Sequence, residues 1–193
     1  MVSKFFAFLD RMKLIDRWAL MRNTSVEDVA QHTMQVAMIA HALCVIENTM
    51  FGGSLDANKA AVLALYHEAA EVVTGDLPTP VKYYDDDINR AYKNIERRAE
   101  QKLVDTLPEE LKSAFLPCVR PDKASAEYVI VKRADKMSAL IKCVEELAVG
   151  NNEFKNAYDA TVKSLEGVPE KSVGYFIDTF IPAYSMSLDY LLD

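Results

Sequence analysis

At 193 residues the chain is the size of one domain, or at most two small ones, with enough length to bury a sizeable core. Half of its residues are apolar and 26% are charged, which excludes a disordered chain and a collagen-like repeat. Lys and Arg total 22 against 29 Asp and Glu, and the net charge of −7 argues against a nucleic-acid polymer or an anionic membrane as partner. A small anionic substrate stays open wherever a local site supplies cations.

Phe5, Phe8, Leu9 and Met12 share one stripe, so a short amphipathic helix is expected to end near Arg17-Trp18. Thr24-x-x-Glu27 has the form of a capping box, and a second helix should run from it through Val29, His32, Val36, Ile39 and Leu43 to Gly52-Gly53. A third should start after Ser54 or Asp56 and continue unbroken through His67, Glu68 and Glu71 to Val73, with Gly75 as its stop. Leu77-Pro78-Thr79-Pro80 reads as a rigid loop, because each proline fixes its own backbone and restricts its predecessor. A charged helix follows from about Asp87 to Leu107, and a short one starts at Pro108. A long helix from Ser125 to Val149 carries Asp135 and is closed by Gly150; one more starts near Val173 and is interrupted at Pro182. The expectation is an all-α fold in a single domain spanning residues 1–193.

Cys44, Cys118 and Cys143 are odd in number and form no C-x-x-C pair, so reduced thiols in a cytoplasmic protein are the simplest reading. No apolar run reaches the roughly 20 residues of a membrane span, and the N-terminus has no signal-peptide pattern.

His67-Glu68-x-x-Glu71 gathers one imidazole and two carboxylates on one helix face in an apolar segment. Burial of such groups costs several kcal/mol unless they meet a metal, a cation or a proton, although a hydrogen-bonded core histidine beside solvent-seeking glutamates would satisfy the same spacing. His32 points inward with Val29, Val36 and Leu43, whereas His41, about half a turn away, reads as structural. Asp135 has Lys132 and Lys136 as alternative ion-pair partners. Together, His32, His67, Glu68 and Asp135 on three helices make a mixed nitrogen and oxygen set suited to a divalent transition metal. Asp85-Asp86-Asp87 reads as solvated.

The order His32, His67-Glu68, Asp135 resembles the H…HD…D pattern of the HD-domain phosphohydrolases. The likeness is closest to the bacterial 5′-deoxynucleotidases of the YfbR type. Arg17-Trp18, Met21-Arg22-Asn23, Gln35-Val36-Ala37-Met38, Phe51-Gly52-Gly53, Gly75 through Tyr83, and the Cys143–Phe154 segment with Glu145-Glu146-Leu147-Ala148 and Gly150-Asn151-Asn152-Glu153 all read like that subgroup. One position departs: Glu68 stands where the family has aspartate, so the carboxylate reaches one methylene further. It either ligates after a small adjustment or is displaced, and ligation is the expectation because an unpaired carboxylate there would be costly.

The resemblance implies an HD-type helical bundle and a metal-dependent hydrolase releasing phosphate from deoxyribonucleoside 5′-monophosphates. It further implies one divalent metal, cobalt or manganese, on His32, His67, Glu68 and Asp135, and a homodimer. Glu71 would be catalytic in proton transfer, and Arg17 would orient the phosphate. Trp18 would pack on the sugar and exclude a ribose 2′-hydroxyl. Asp76, Leu77, Pro78 and Thr79 would line the nucleoside end, while His32, Glu68 and Asp135 would also border the substrate. Triphosphohydrolysis of a deoxynucleotide, and a nucleotide-sensing or scaffold protein with an impaired metal site, are the competing readings.

Overall fold

The computed structural model describes residues 2–82 and 84–192, so Tyr83, the last residue of the Gly75–Tyr83 motif, lies outside the described residues. Among these the structure is helical, with no strand beyond a single bridge between Asp16 and Asp28. Helix α1, Phe5–Leu9, passes into a 3₁₀ turn, Asp10–Leu14, and buries Phe5 and Met12. The chain then turns back on itself, with Arg17 N–H donating to Glu27 O and Val29 N–H to Ile15 O, each at 2.9 Å.

Helix α2, Val29–Met50, starts four residues later than the capping signature implied. Its box is Asp28 with Gln31: the Asp28 carboxylate accepts from Gln31 N–H at 2.8 Å, and Gln31 Oε1 accepts from Asp28 N–H at 3.2 Å. Thr24 and Glu27 are thereby released for other work. By length and mean hydropathy, 1.4, α2 could cross a membrane, but 56% of that window is buried against the rest of the bundle, as a core helix requires.

Helix α3, Ala57–Tyr66, is capped by Asp56 and stops at His67 instead of running on to Val73. His67 Nδ1 lies 2.7 Å from Ala64 O, and His67 N–H also turns towards that oxygen, at 3.4 Å. The imidazole thus takes the acceptor that an unbroken helix would offer to Glu68 N–H. Four turn residues follow, then α4, Glu71–Thr74, which ends at Gly75 with φ +70°. Half of the expected proline loop is helical: α5, Thr79–Lys82, has Pro80 in its first turn, where a missing N–H costs nothing.

Helix α6, Asp86–Val104, is mostly exposed and buries Tyr92, Ala99, Leu103 and Val104 along one side. Helix α7, Glu109–Val119, precedes the long α8, Ala126–Ala148, which is capped by Ser125 and followed by Gly150 at φ +87°. Helix α9, Lys155–Leu165, has no counterpart in the sequence reading. Helix α10, Lys171–Thr179, begins two residues before Val173; a 3₁₀ turn at Ile181–Ser185 holds Pro182, and α11, Leu188–Leu192, is fully exposed.

Two apolar clusters support the bundle. Leu43, Met137, Ile141, Val173 and Phe176 belong to the cluster where α2 packs against α3, α8 and α10. Phe5, Met12, Leu103 and Leu107 belong to the other. Burial of each such large side chain stabilises by about 1.5–3 kcal/mol. Val29 lies in the second cluster and Val36 in the first, and likewise Ala69 and Ala64. His32 and the His67-Glu68 pair therefore sit along the seam where the two clusters meet.

Candidate functional site

The seam gathers the four residues that the sequence selected as ligands. One donor atom from each of His32, His67, Glu68 and Asp135 lies within 4.8 Å of all the others. His32 Nε2 is 3.3 Å from Asp135 Oδ1, His67 Nε2 is 3.3 Å from Glu68 Oε1, and the imidazole centroids are 5.3 Å apart. Both Nε2 atoms are buried without a hydrogen-bond partner.

The outer nitrogens explain this orientation. Ala64 O can only accept, so His67 Nδ1 carries the hydrogen and leaves Nε2 with its lone pair. Ser138 donates to Gln35 Oε1 at 2.6 Å and so receives the Nδ1 hydrogen of His32 at 3.0 Å. Both histidines therefore present bare Nε2 atoms to one point, as two metal ligands must. Donors within 4.8 Å of one another are close enough for a divalent ion, with ligand bonds of about 2.0–2.2 Å, to be held among them. The extra methylene of Glu68 does not displace its carboxylate from the set.

Charge points the same way. Burial pushes Glu71 up to about 10, helped by the nearby Glu68 and Asp76 charges, so Glu71 is a neutral acid at pH 7. The carboxylates of Glu68 and Asp135 both face the two imidazoles at the centre of the cluster. Two carboxylates buried side by side are costly unless a cation meets them, and a divalent ion held among these donors would do so. Burial opposes ionisation of Asp135, but the Lys132 ammonium beside it outweighs that and holds its carboxyl well below the usual range. Its two alternatives coexist: Oδ2 pairs with Lys132 and Oδ1 faces His32.

Glu71 is 7% exposed at the start of α4, within hydrogen-bonding reach of Glu68. Arg17 is close enough to Glu27, Glu71 and Asp76 for its charge to act on them, and Trp18 beside it packs on Phe154 with centroids 5.3 Å apart. Asp76 is close enough to Arg17 and Glu68 to feel both charges; burial, the larger effect, raises its pKa. Leu77 and Pro78 are half-buried beyond it and Thr79 is exposed. No hydrogen bond ties these three to the ligand cluster among the described residues.

Three contributors escaped the sequence reading. Glu27, taken for a cap, accepts from Arg17 Nη1 at 3.1 Å and from Trp18 Nε1 at 2.9 Å. Ser138 lies one turn after Asp135 on α8, a spacing that marks it as a neighbour of that ligand. Glu146, 1% exposed, accepts from Thr24 N–H and hydroxyl, Ser25 N–H, Lys142 and Asn151 Nδ2, and so fastens the Thr24-Ser25 loop to the end of α8.

A family model described as 5′-deoxynucleotidase YfbR-like matches residues 4–184. The chain belongs to the YfbR-like 5′-deoxynucleotidase family. A 5′-deoxynucleotidase of Erwinia tasmaniensis is 50% identical over 188 residues, 97% of this chain and 95% of the relative. The 5′-deoxynucleotidase YfbR of Salmonella typhi is 52% identical over 97% of this chain and 94% of its own. Among solved structures, an HD-domain phosphohydrolase of Listeria innocua superposes with a TM-score of 0.82 at 23% identity, covering 94% of this chain and 88% of its own. The HD phosphohydrolase DatZ of cyanophage S-2L, solved with dA and one catalytic Zn²⁺, superposes at 0.60 with 17% identity over 91% and 95%. These two show that the YfbR-like chain has the HD-domain fold.

Proposed function

We infer that the protein is a metal-dependent 5′-deoxynucleotidase that converts deoxyribonucleoside 5′-monophosphates to deoxyribonucleosides and phosphate. Full-length relatives of that activity at about half identity support it. The observation that carries it is the pair of orphaned Nε2 atoms facing Glu68 and Asp135. A divalent ion on these four residues would lower the pKa of bound water towards about 7 and withdraw charge from phosphoryl oxygens. Mixed imidazole and carboxylate ligation suits a divalent transition metal, and the family resemblance implies cobalt or manganese.

The remaining chemistry belongs to the side chains. Arg17 offers a planar fork of donors that orients the phosphate and meets its developing charge. Glu71, kept protonated by burial, gives its proton to the departing 5′ oxygen. Trp18 packs on the deoxyribose, and Asp76 through Thr79 wall the nucleoside end without reading a base.

A phosphate-release screen of deoxy- and ribonucleoside monophosphates with several divalent metals tests this reading. Release from the deoxy series is expected; triphosphate release from a deoxynucleoside triphosphate, or no turnover with any metal, overturns it. In the same screen a smaller residue at Trp18 should narrow the preference for deoxyribonucleotides, and an unchanged preference removes the ring as the gate.

The reading extends to a single catalytic domain in the cytoplasm, supported by three free cysteines. It also extends to a homodimer. Met34, Met38 and Val45 form an exposed stripe on α2, and Val62 and Leu65 are exposed on α3. Sedimentation at the 21.7 kDa monomer mass would remove the dimer.

A further inference from the structure

Trp18 has φ +59°, the left-handed region that a bulky residue enters at a cost of order 1–3 kcal/mol. Something must hold it there. Its carbonyl receives Met21 N–H at 2.8 Å and Asn23 Nδ2 at 3.3 Å, while its ring packs at a 56° tilt against Phe154. The remaining tie is Glu27. One carboxylate oxygen accepts from Trp18 Nε1; the other accepts from Arg17 Nη1 and lies 3.6 Å from His32 Nδ1. The main chain repeats the link, since Arg17 N–H donates to Glu27 O at 2.9 Å.

We propose that Glu27 is a positioning residue that sets Arg17 for the phosphate and Trp18 for the sugar through the two oxygens of one carboxylate, while bordering the outer face of the ligand His32. Its side chain is 13% exposed, so the ion pair with Arg17 is partly desolvated and directional, unlike a surface pair. Charge-assisted bonds to both neighbours compensate a carboxylate that burial alone would penalise. The arrangement divides labour by atom: Oε1 serves the phosphate side and Oε2 the sugar side.

This rests on the assignment of Arg17 and Trp18 to nucleotide binding, and the test separates the two. Trp18 is the only tryptophan, so intrinsic emission reports the Glu27 contact in metal-free protein without substrate. Glu27→Gln keeps an acceptor for Trp18 Nε1 but loses the charge that anchors Arg17. Its emission should match the parent and its deoxyribose preference should persist, while kcat/KM falls about tenfold, mainly in kcat. Glu27→Ala loses both ties, so its emission should move to longer wavelength, its kcat/KM should fall about a hundredfold, and its deoxyribose preference should narrow. A melting curve identifies any failure of the alanine variant to fold, in which case the isosteric glutamine variant carries the decision. Parent-like emission in folded Glu27→Ala, or parent-like kcat and KM in Glu27→Gln, overturns the proposal. A parent that releases no phosphate overturns the nucleotidase reading instead, and emission still judges the clamp.

Discussion

Glu68→Ala is expected to lose the bound divalent ion and, with it, phosphate release by at least about a thousandfold, since metal assistance is worth several kcal/mol and each 1.36 kcal/mol is tenfold in rate. The side chain supplies one of four donors in a cluster only 4.8 Å across, and His67, His32 and Asp135 alone leave the anionic share of the site halved. Glu68→Asp should keep the ion, because its carboxylate still faces the cluster and lacks only one methylene of reach. Metal analysis after gel filtration, run beside phosphate release on parent and both variants, distinguishes ligation from displacement. If Glu68→Asp raises both metal content and turnover above the parent, the glutamate is a displaced carboxylate and the ligand set must be redrawn.

Glu71→Gln should retain the ion and bind nucleotide, yet lose turnover by about 10²–10⁴, the usual contribution of one general acid. Isothermal titration with a deoxynucleotide and metal analysis separate the two properties; a loss of metal assigns Glu71 to ligation. The elevated pKa adds a stability test on chelated protein. Folded Glu71 titrates near 10 whereas the unfolded residue ionises near 4.5, so the folded chain binds the proton more tightly. Its contribution is complete below pH 4.5 and is lost as pH rises towards 10, at up to about 1.4 kcal/mol per pH unit. Glutamine needs no proton, so Glu71→Gln should melt higher than the parent at pH 8, by about 2–4 °C per kcal/mol recovered. The advantage should shrink towards pH 5, and equal melting at both pH values removes the buried neutral acid.

The gathering of His32, His67, Glu68 and Asp135 was legible in the sequence because such residue types are expensive to bury apart from a partner, and their order along the chain matched a known pattern. The shape of the third helix was not legible. Ala, Leu and Glu on both sides of His67 all favour helix, and no glycine or proline marks the break. The interruption comes from a tertiary demand, the pointing of Nδ1 at Ala64 O so that Nε2 faces His32. Glu27 failed for another reason: Thr24-x-x-Glu27 satisfies the capping pattern as well as Asp28-x-x-Gln31 does, and only the fold shows which pair caps α2. Helix α9 did carry a signal in the sequence, since Tyr158, Val162 and Leu165 recur at helical spacing in an otherwise polar segment and pack on the core.

The Glu146 clamp has a consequence for how the protein is made. All four donors lie between residues 32 and 135, but the loop that follows Arg17 and Trp18 is fastened at Thr24 and Ser25 by Glu146, 122 and 121 positions further along the chain. Ribosomal synthesis therefore delivers all four candidate metal donors before Glu146, the group that fastens the Thr24-Ser25 loop. Closing so long a span is slow compared with winding local helices. A growing polypeptide thus carries its four candidate donors, and the local Glu27 ties to Arg17 and Trp18, before the long-range tie through Glu146 can close.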